Sequence, residues 1–177
     1  MFKKILIGLM AIIALLFIYV AVQPSEYKIS REVTISASAE QIFPMINNAQ
    51  QTEKWMPWFQ MDPELKMSYS GPESGVGSKA SWTSKGEMGT GSSTIVESIP
   101  NQLVTYQLEY EEPFQMVQTA QISILPVNGR QHLVKWSVQG KNNFIGRLMC
   151  LFMDMDKMVG SSFEEGLNKL KSMTESH

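Results

Sequence analysis

The sequence predicts an α+β protein. A curved antiparallel sheet of about seven strands wraps around a long C-terminal helix, and an N-terminal transmembrane helix precedes both. Three observations predict it. Apolar side chains recur at Phe144, Leu148, Leu151, Met155, Val159, Phe163, Leu167 and Leu170, the spacing of one helix face. Between Tyr27 and Val138 apolar and polar residues alternate between turn signals, as half-buried strands do. Ile5–Val22 holds no charged residue and would make a helix about 27 Å long, close to a bilayer's hydrocarbon thickness.

The apolar run divides the chain into residues 1–24, an anchor and linker, and residues 25–177, one folded domain. Its exit reads Tyr19-Val20-Ala21-Val22-Gln23-Pro24, with Tyr19 where a signal-cleavage site after Ala21 would want a small residue. No lipobox cysteine follows. The expectation is therefore an uncleaved, single-pass anchor. Lys3 and Lys4 favour a cytoplasmic N-terminus. That places the chain in a bacterial-type inner (cytoplasmic) membrane, with the domain facing the periplasm or exterior.

In the domain, Tyr27–Ser36 alternates, with Tyr27, Ile29, Arg31, Val33 and Ile35 on one side. Ser38 as N-cap and Gln41 three residues on form a capping-box pattern that starts a helix. Its apolar face is Ile42, Phe43 and Ile46, and Pro44 keeps it short. A second short helix is expected over Gln51–Trp55. Trp55-Met56-Pro57-Trp58-Phe59 then puts three aromatic rings in a Pro-broken segment. It reads either as a plug closing the core or as the rim of a pocket. Short strands follow: Leu65–Tyr69, one carrying Ala80 and Trp82, Thr94–Ile99, Leu103–Tyr110, Phe114–Leu125 and Leu133–Val138. Turn-rich segments at Gly71–Gly77 and Lys85–Gly89 and the Asn128-Gly129 pair separate several of them.

The C-terminal helix is expected over Phe144–Leu170, about 40 Å, with Gly160 allowing a bend. Its first half is apolar beyond one stripe, and Met149, Met153, Met155 and Met158 read as ordinary core or as an adaptable ligand-facing wall. The one cysteine, Cys150, is expected to be a buried structural thiol. Lys and Arg total 15 against 17 Asp and Glu, a balance that does not point to nucleic acid.

Catalytic chemistry is sparse. The two histidines are His132, in a strand, and His177. No His, Cys and carboxylate cluster has metal-ligand spacing, and Gly86, Gly89 and Gly91 surround a hairpin rather than precede a phosphate-binding helix. No catalytic residue, metal or cofactor is therefore assigned.

Several motifs together resemble the SRPBCC superfamily, the START-like and birch-pollen-allergen-like proteins, and within it the polyketide cyclase/dehydrase-like branch. They are Trp55-x-x-Trp58 with Asp62-Pro63, Gly75-x-Gly77 leading to Trp82, Gly89-x-Gly91, the Trp136 strand after Asn128-Gly129, and Phe163-x-x-Gly166-Leu167-x-x-Leu170-Lys171. The likeness covers about residues 27–173. It implies the helix-grip fold, with an apolar cavity between sheet and helix, in a superfamily whose members bind lipids, sterols, polyketides or plant hormones. The expected function is a membrane-anchored binding protein holding a hydrophobic or lipid-like small molecule there. Trp58, Trp82, Tyr106, Trp136, Met155 and Phe163, taken from inward faces, are the expected lining. The alternatives are a polyketide cyclase/dehydrase-like enzyme, with His132, Arg147, Asp154 and the tyrosines as suppliers of acid or base, and a protein-interaction module whose face Ile145–Met153 meets a partner or the membrane.

Overall fold

The structure, a computed structural model, describes residues 2–86, 88–113 and 115–176. The expected strand start at Phe114, His177, Met1 and Glu87 in its turn lie outside the described residues. The chain begins with α1 (Phe2–Val22) and β1 (Glu26–Ile35), followed by the short helices α2 (Ala39–Ile46), α3 (Ala49–Glu53) and α4 (Trp58–Met61). Six strands come next: β2 (Lys66–Ser70), β3 (Lys79–Thr83), β4 (Thr90–Ile99), β5 (Leu103–Glu112), β6 (Met116–Asn128) and β7 (Gln131–Lys141). The chain closes with α5 (Phe144–Met149) and α6 (Met155–Glu175). The strands form one sheet in the order β1-β7-β6-β5-β4-β3-β2, every neighbour antiparallel. The sheet is curved, and α6 lies against it chiefly along β1. This is the helix-grip fold.

The alternation in the sequence becomes rungs across the concave face. Ile29, Val138, Ala120 and Tyr106 stand side by side on β1, β7, β6 and β5, and Trp136, Ile122 and Val104 make the next rung. All of these are buried. From above, Ile42 and Ile46 of α2, Trp55, and Phe163, Leu167 and Leu170 of α6 complete the core. The second helix is Ala49–Glu53 rather than Gln51–Trp55, because the Asn48 side chain accepts from the N–H groups of Gln50 and Gln51 at 2.9 and 3.0 Å and starts it earlier.

The C-terminal helix corrects the expectation of one rod over Phe144–Leu170. A second cap divides it: Asn143 Oδ1 accepts from Gly146 N at 2.8 Å and starts α5, and Asp154 Oδ1 accepts from Lys157 N at 3.0 Å and starts α6. Residues 150–154 form the turn between. Cys150 lies on that turn and is exposed, so the expected buried thiol is also corrected. α6 continues through Gly160, whose missing side chain makes room for the Arg31 guanidinium.

Arg31 explains a charge on the apolar side of β1. Its Nε reaches Glu164 Oε1 at 2.8 Å and its Nη2 reaches Asp156 Oδ2 at 2.9 Å, joining the first strand to α6. The hydrogen bond from Arg31 holds the Asp156 carboxyl below its ordinary value of 3.8. A depressed carboxyl contributes stability above its unfolded value and loses it as pH falls through the folded one. Arg31→Met is therefore expected to be less stable than the parent near neutral pH, with the gap closing as pH falls below 3.8. Urea titrations across that window measure it, and a gap that stays constant would show that packing, not charge, joins the two elements.

Candidate functional site

The concave face has two parts that differ in how they are covered. Under α6 it is filled. Trp136 and Phe163 stack with ring centroids 4.0 Å apart and planes 5° from parallel. Trp55 meets Trp136 edge-on at 5.2 Å, while Trp58 meets Trp136 at 5.4 Å and Phe163 at 5.8 Å. Trp55 is wholly buried and donates from Nε1 to Met45 O at 2.9 Å; it is the plug. Trp58 is half-buried and borders what lies beyond. Tyr106 donates its hydroxyl to Ile46 O, tying β5 to α2, and burial raises its phenol well above the ordinary value. Trp136 Nε1 is buried and meets no acceptor among the described residues.

The other part lies at the end of the sheet where β1 begins. The rung there is Tyr27, Gly140, Gln118 and Leu108, followed outward by Tyr110, Gly91 and Trp82. Tyr27, Gln118, Leu108, Tyr110, Trp58 and Phe59 are only half-buried. Two glycines shape this floor. A Cβ on Gly140 would stand 2.7 Å from the Tyr27 hydroxyl. Its absence lets Tyr27 reach across β7, where its hydroxyl accepts from Gln118 Nε2 on β6. A Cβ on Gly91 would stand 2.5 Å from Trp82 Cζ2, and its absence lets the indole lie across β4 to meet Tyr110 edge-on at 5.7 Å. Phe59 of α4 closes over Trp82 at 6.3 Å.

Trp82 Nε1 is satisfied by Met88 O at 3.2 Å. The polar groups left on this floor are two phenols and an amide among aromatic faces. Burial raises the Tyr27 phenol, partly offset by the bond from Gln118. Burial, with Tyr27 nearby, pushes Tyr110 up to about 12. Both are thus neutral at physiological pH and serve as hydrogen-bonding groups rather than charges. That suits an apolar molecule with one or two polar atoms.

The structure brings Trp58, Trp136 and Phe163 into one cluster and places Trp82 in a second, with Tyr106 on the rung between. Met155 stands apart, half-buried in the concavity of the α5–α6 turn lined by Cys150–Asp156. As candidate site residues, Tyr27 and Tyr110 enter the sequence reading only among the tyrosines at large, and Gln118 does not enter it. Gly140 was their signal, because glycine inside a strand often marks a close approach. His132 is at the opposite end of the sheet, in an open groove of about 600 Å³ with Ile99, Leu103 and Leu125, its Nδ1 2.8 Å from Ala37 O. Among the described residues no group of three or more His, Cys, Asp or Glu could hold a metal ion.

α1 is 21 residues long with a mean hydropathy of 3.0 over its most apolar stretch, enough for a membrane span or a signal sequence. Val20 is its only buried residue.

Comparison with known proteins agrees with this architecture. The profile of the family described as polyketide cyclase / dehydrase and lipid transport matches residues 26–175. The chain is similar to truncated norcoclaurine synthase from Thalictrum flavum, with 14% identity, a TM-score of 0.61, and 88% of this chain and 98% of that one covered. It is also similar to the Aha1 dimer from Colwellia psychrerythraea, with 21% identity, a TM-score of 0.60, and coverage of 84% and 96%. Protein CV1439 from Chromobacterium violaceum shares 13% identity with a TM-score of 0.60, again covering 84% and 96%. At these identities the likeness establishes the fold. No curated protein matches the chain.

Proposed function

The chain belongs to the polyketide cyclase / dehydrase and lipid transport family, and on that footing we propose that it is a membrane-tethered carrier of a hydrophobic or lipid-like small molecule. α1 is the tether, with the folded domain on the side of the membrane opposite Lys3 and Lys4. The molecule lies on the concave face beyond Trp58, over Trp82 and Tyr110, with Tyr106, Trp136 and Phe163 forming the packed wall behind it. Met155 borders the same end of the helix layer. The observation that carries this reading is the glycine-made floor, where Tyr27, Gln118 and Tyr110 offer neutral polar groups among half-buried rings. The aromatic surface supplies area and the phenols fix orientation.

The test is native mass spectrometry with lipid extraction on the full chain purified in a mild detergent. A co-purifying apolar compound is expected. Its retention should fall about tenfold in Tyr27→Phe with Gln118→Leu, a loss on the order of one hydrogen bond to a buried polar group. A compound retained equally by the double variant would remove this floor as its site. An apo mass under every extraction condition would remove the carrier reading.

A further inference from the structure

The α5–α6 turn carries an apolar surface of its own. Ile145, Met149, Leu151, Phe152 and Met153 are all exposed there, Phe152 at 79%. They form an apolar tip rimmed by Asp154, Asp156 and Lys157, which are exposed too. Large apolar side chains gathered at a tip mark an interaction surface.

What covers this tip follows from its neighbour. α5 packs against the end of α1, with Phe144 stacked on Phe17 at 5.3 Å and 20°. One residue group farther along α5, Arg147 Nη1 donates to Ala21 O at 2.8 Å and Gln23 O at 3.3 Å. The cation thereby meets the C-terminal end of α1 at Ala21 and the linker just after it, where the helix dipole favours it. Phe17 stands five residues before the end of α1 at Val22, about 7–8 Å along the axis. If α1 crosses the bilayer with its apolar length of about 27 Å, then Phe144 lies at that depth beneath the helix exit. Arg147 then lies at the headgroup level, where a long cationic side chain settles. A depth of about 5–10 Å is that of an apolar face resting in the headgroup–acyl boundary.

We propose that the tip formed by Ile145, Met149, Leu151, Phe152 and Met153 is embedded in the leaflet from which α1 emerges, beside α1 itself. The occupant of this surface is lipid. The proposal rests on the tether reading and extends it. The binding floor lies at the end of the sheet where β1 begins, four residues after α1 ends, and Asn142 N bonds Ser25 O at 2.7 Å to hold that end beside α5. The embedded tip therefore turns the Tyr27–Tyr110 floor toward the bilayer, and its cargo is an amphipathic molecule drawn from the lipid phase.

The experiment uses the full chain in phosphatidylcholine–phosphatidylglycerol vesicles, with Cys150→Ser as background. An environment-sensitive fluorophore is attached singly at Phe152→Cys, at Leu15→Cys within α1, and at Gln102→Cys at the far end of the sheet. Phe152 and Gln102 are exposed, so the labels leave packing intact. Vesicles doped with a lipid-borne nitroxide quencher are expected to abolish most emission at positions 15 and 152 and to leave position 102 unchanged, with blue-shifted emission at 152. Water-like emission at 152 with quenching at 15 overturns the embedded tip and leaves the tether standing. An unquenched position 15, or a chain cut between α1 and β1, overturns the tether. Blue-shifted emission at 152 that resists the quencher and rises with protein-to-lipid ratio assigns the tip to a second copy and overturns the proposal.

Discussion

Replacing Trp136 with alanine is expected to destabilise the domain by about 3–5 kcal/mol, the range for removing a large aromatic side chain from a packed core. Trp136 is 2% exposed and joins several elements of the fold. Its face is covered by Phe163 of α6, and its edges meet Trp55 and Trp58 from the segment around α4. Beneath it, Arg31 of β1 and Ile122 of β6 are its rung neighbours. Alanine leaves a cavity bounded by rigid rings, which collapse into it poorly. Since small domains hold only about 5–15 kcal/mol in total, the variant should unfold at much lower urea. Trp136→Phe should cost less, because it keeps a ring against Phe163 and removes the buried Nε1 that meets no acceptor. Urea unfolding of the three proteins, read from the remaining tryptophans, provides the comparison. An alanine variant within 1 kcal/mol of the parent would mean that the stack is ornamental to stability.

The second large effect is expected at Gly91. A valine there places its Cβ 2.5 Å from the Trp82 ring and 2.7 Å from the Glu109 carbonyl oxygen. The carbonyl belongs to the β4–β5 ladder and yields little, so overpacking should cost about 1–3 kcal/mol. Trp82 must also leave its contact with Tyr110, opening the floor, and cargo retention should fall with stability. Gly140→Ala separates the two effects. Its nearest neighbour is the tip of the Tyr27 side chain, which can swing away. Stability should stay close to that of the parent while cargo is lost. Equal loss of both properties in the two variants would show that the floor acts through stability alone.

The strands were legible because burial on one face writes itself as alternation, and the alternate positions Tyr27, Ile29, Arg31 of β1 and Val104, Tyr106, Leu108, Tyr110 of β5 fall on the concave side as their spacing requires. Arg31 kept that spacing while breaking its chemistry, since its partners Asp156 and Glu164 lie more than a hundred residues away. The break at Cys150–Asp154 was hidden for the opposite reason. Met149, Leu151, Phe152 and Met153 are apolar in every direction, so a helical stripe can be drawn through them whether or not a helix exists. The residue that could have revealed the break was Asp154, a good N-cap ahead of the cleaner amphipathic half. The floor was the least legible feature. Tyr27, Gln118 and Tyr110 are each ordinary in their own strand. They become a group only through the register, which places Gly140 between Tyr27 and Gln118 and Gly91 between Tyr110 and Trp82.

The pairing of β1 with β7 has a consequence for how the protein is made. β1 leaves the ribosome first among the strands, yet its sheet partner spans residues 131–141 and its covering helix spans 155–175. For most of synthesis β1 is an unsatisfied edge bearing alternate apolar side chains, the kind of segment that pairs with the wrong chain. β2–β7 can assemble as sequential hairpins, because from β3 onward each pairs with the strand before it. Closure must wait until the last quarter of the polypeptide has emerged. On the proposed tether reading, α1 immediately ahead of β1 keeps this waiting strand at a fixed address, so neighbouring nascent chains meet it less often than they would in free solution.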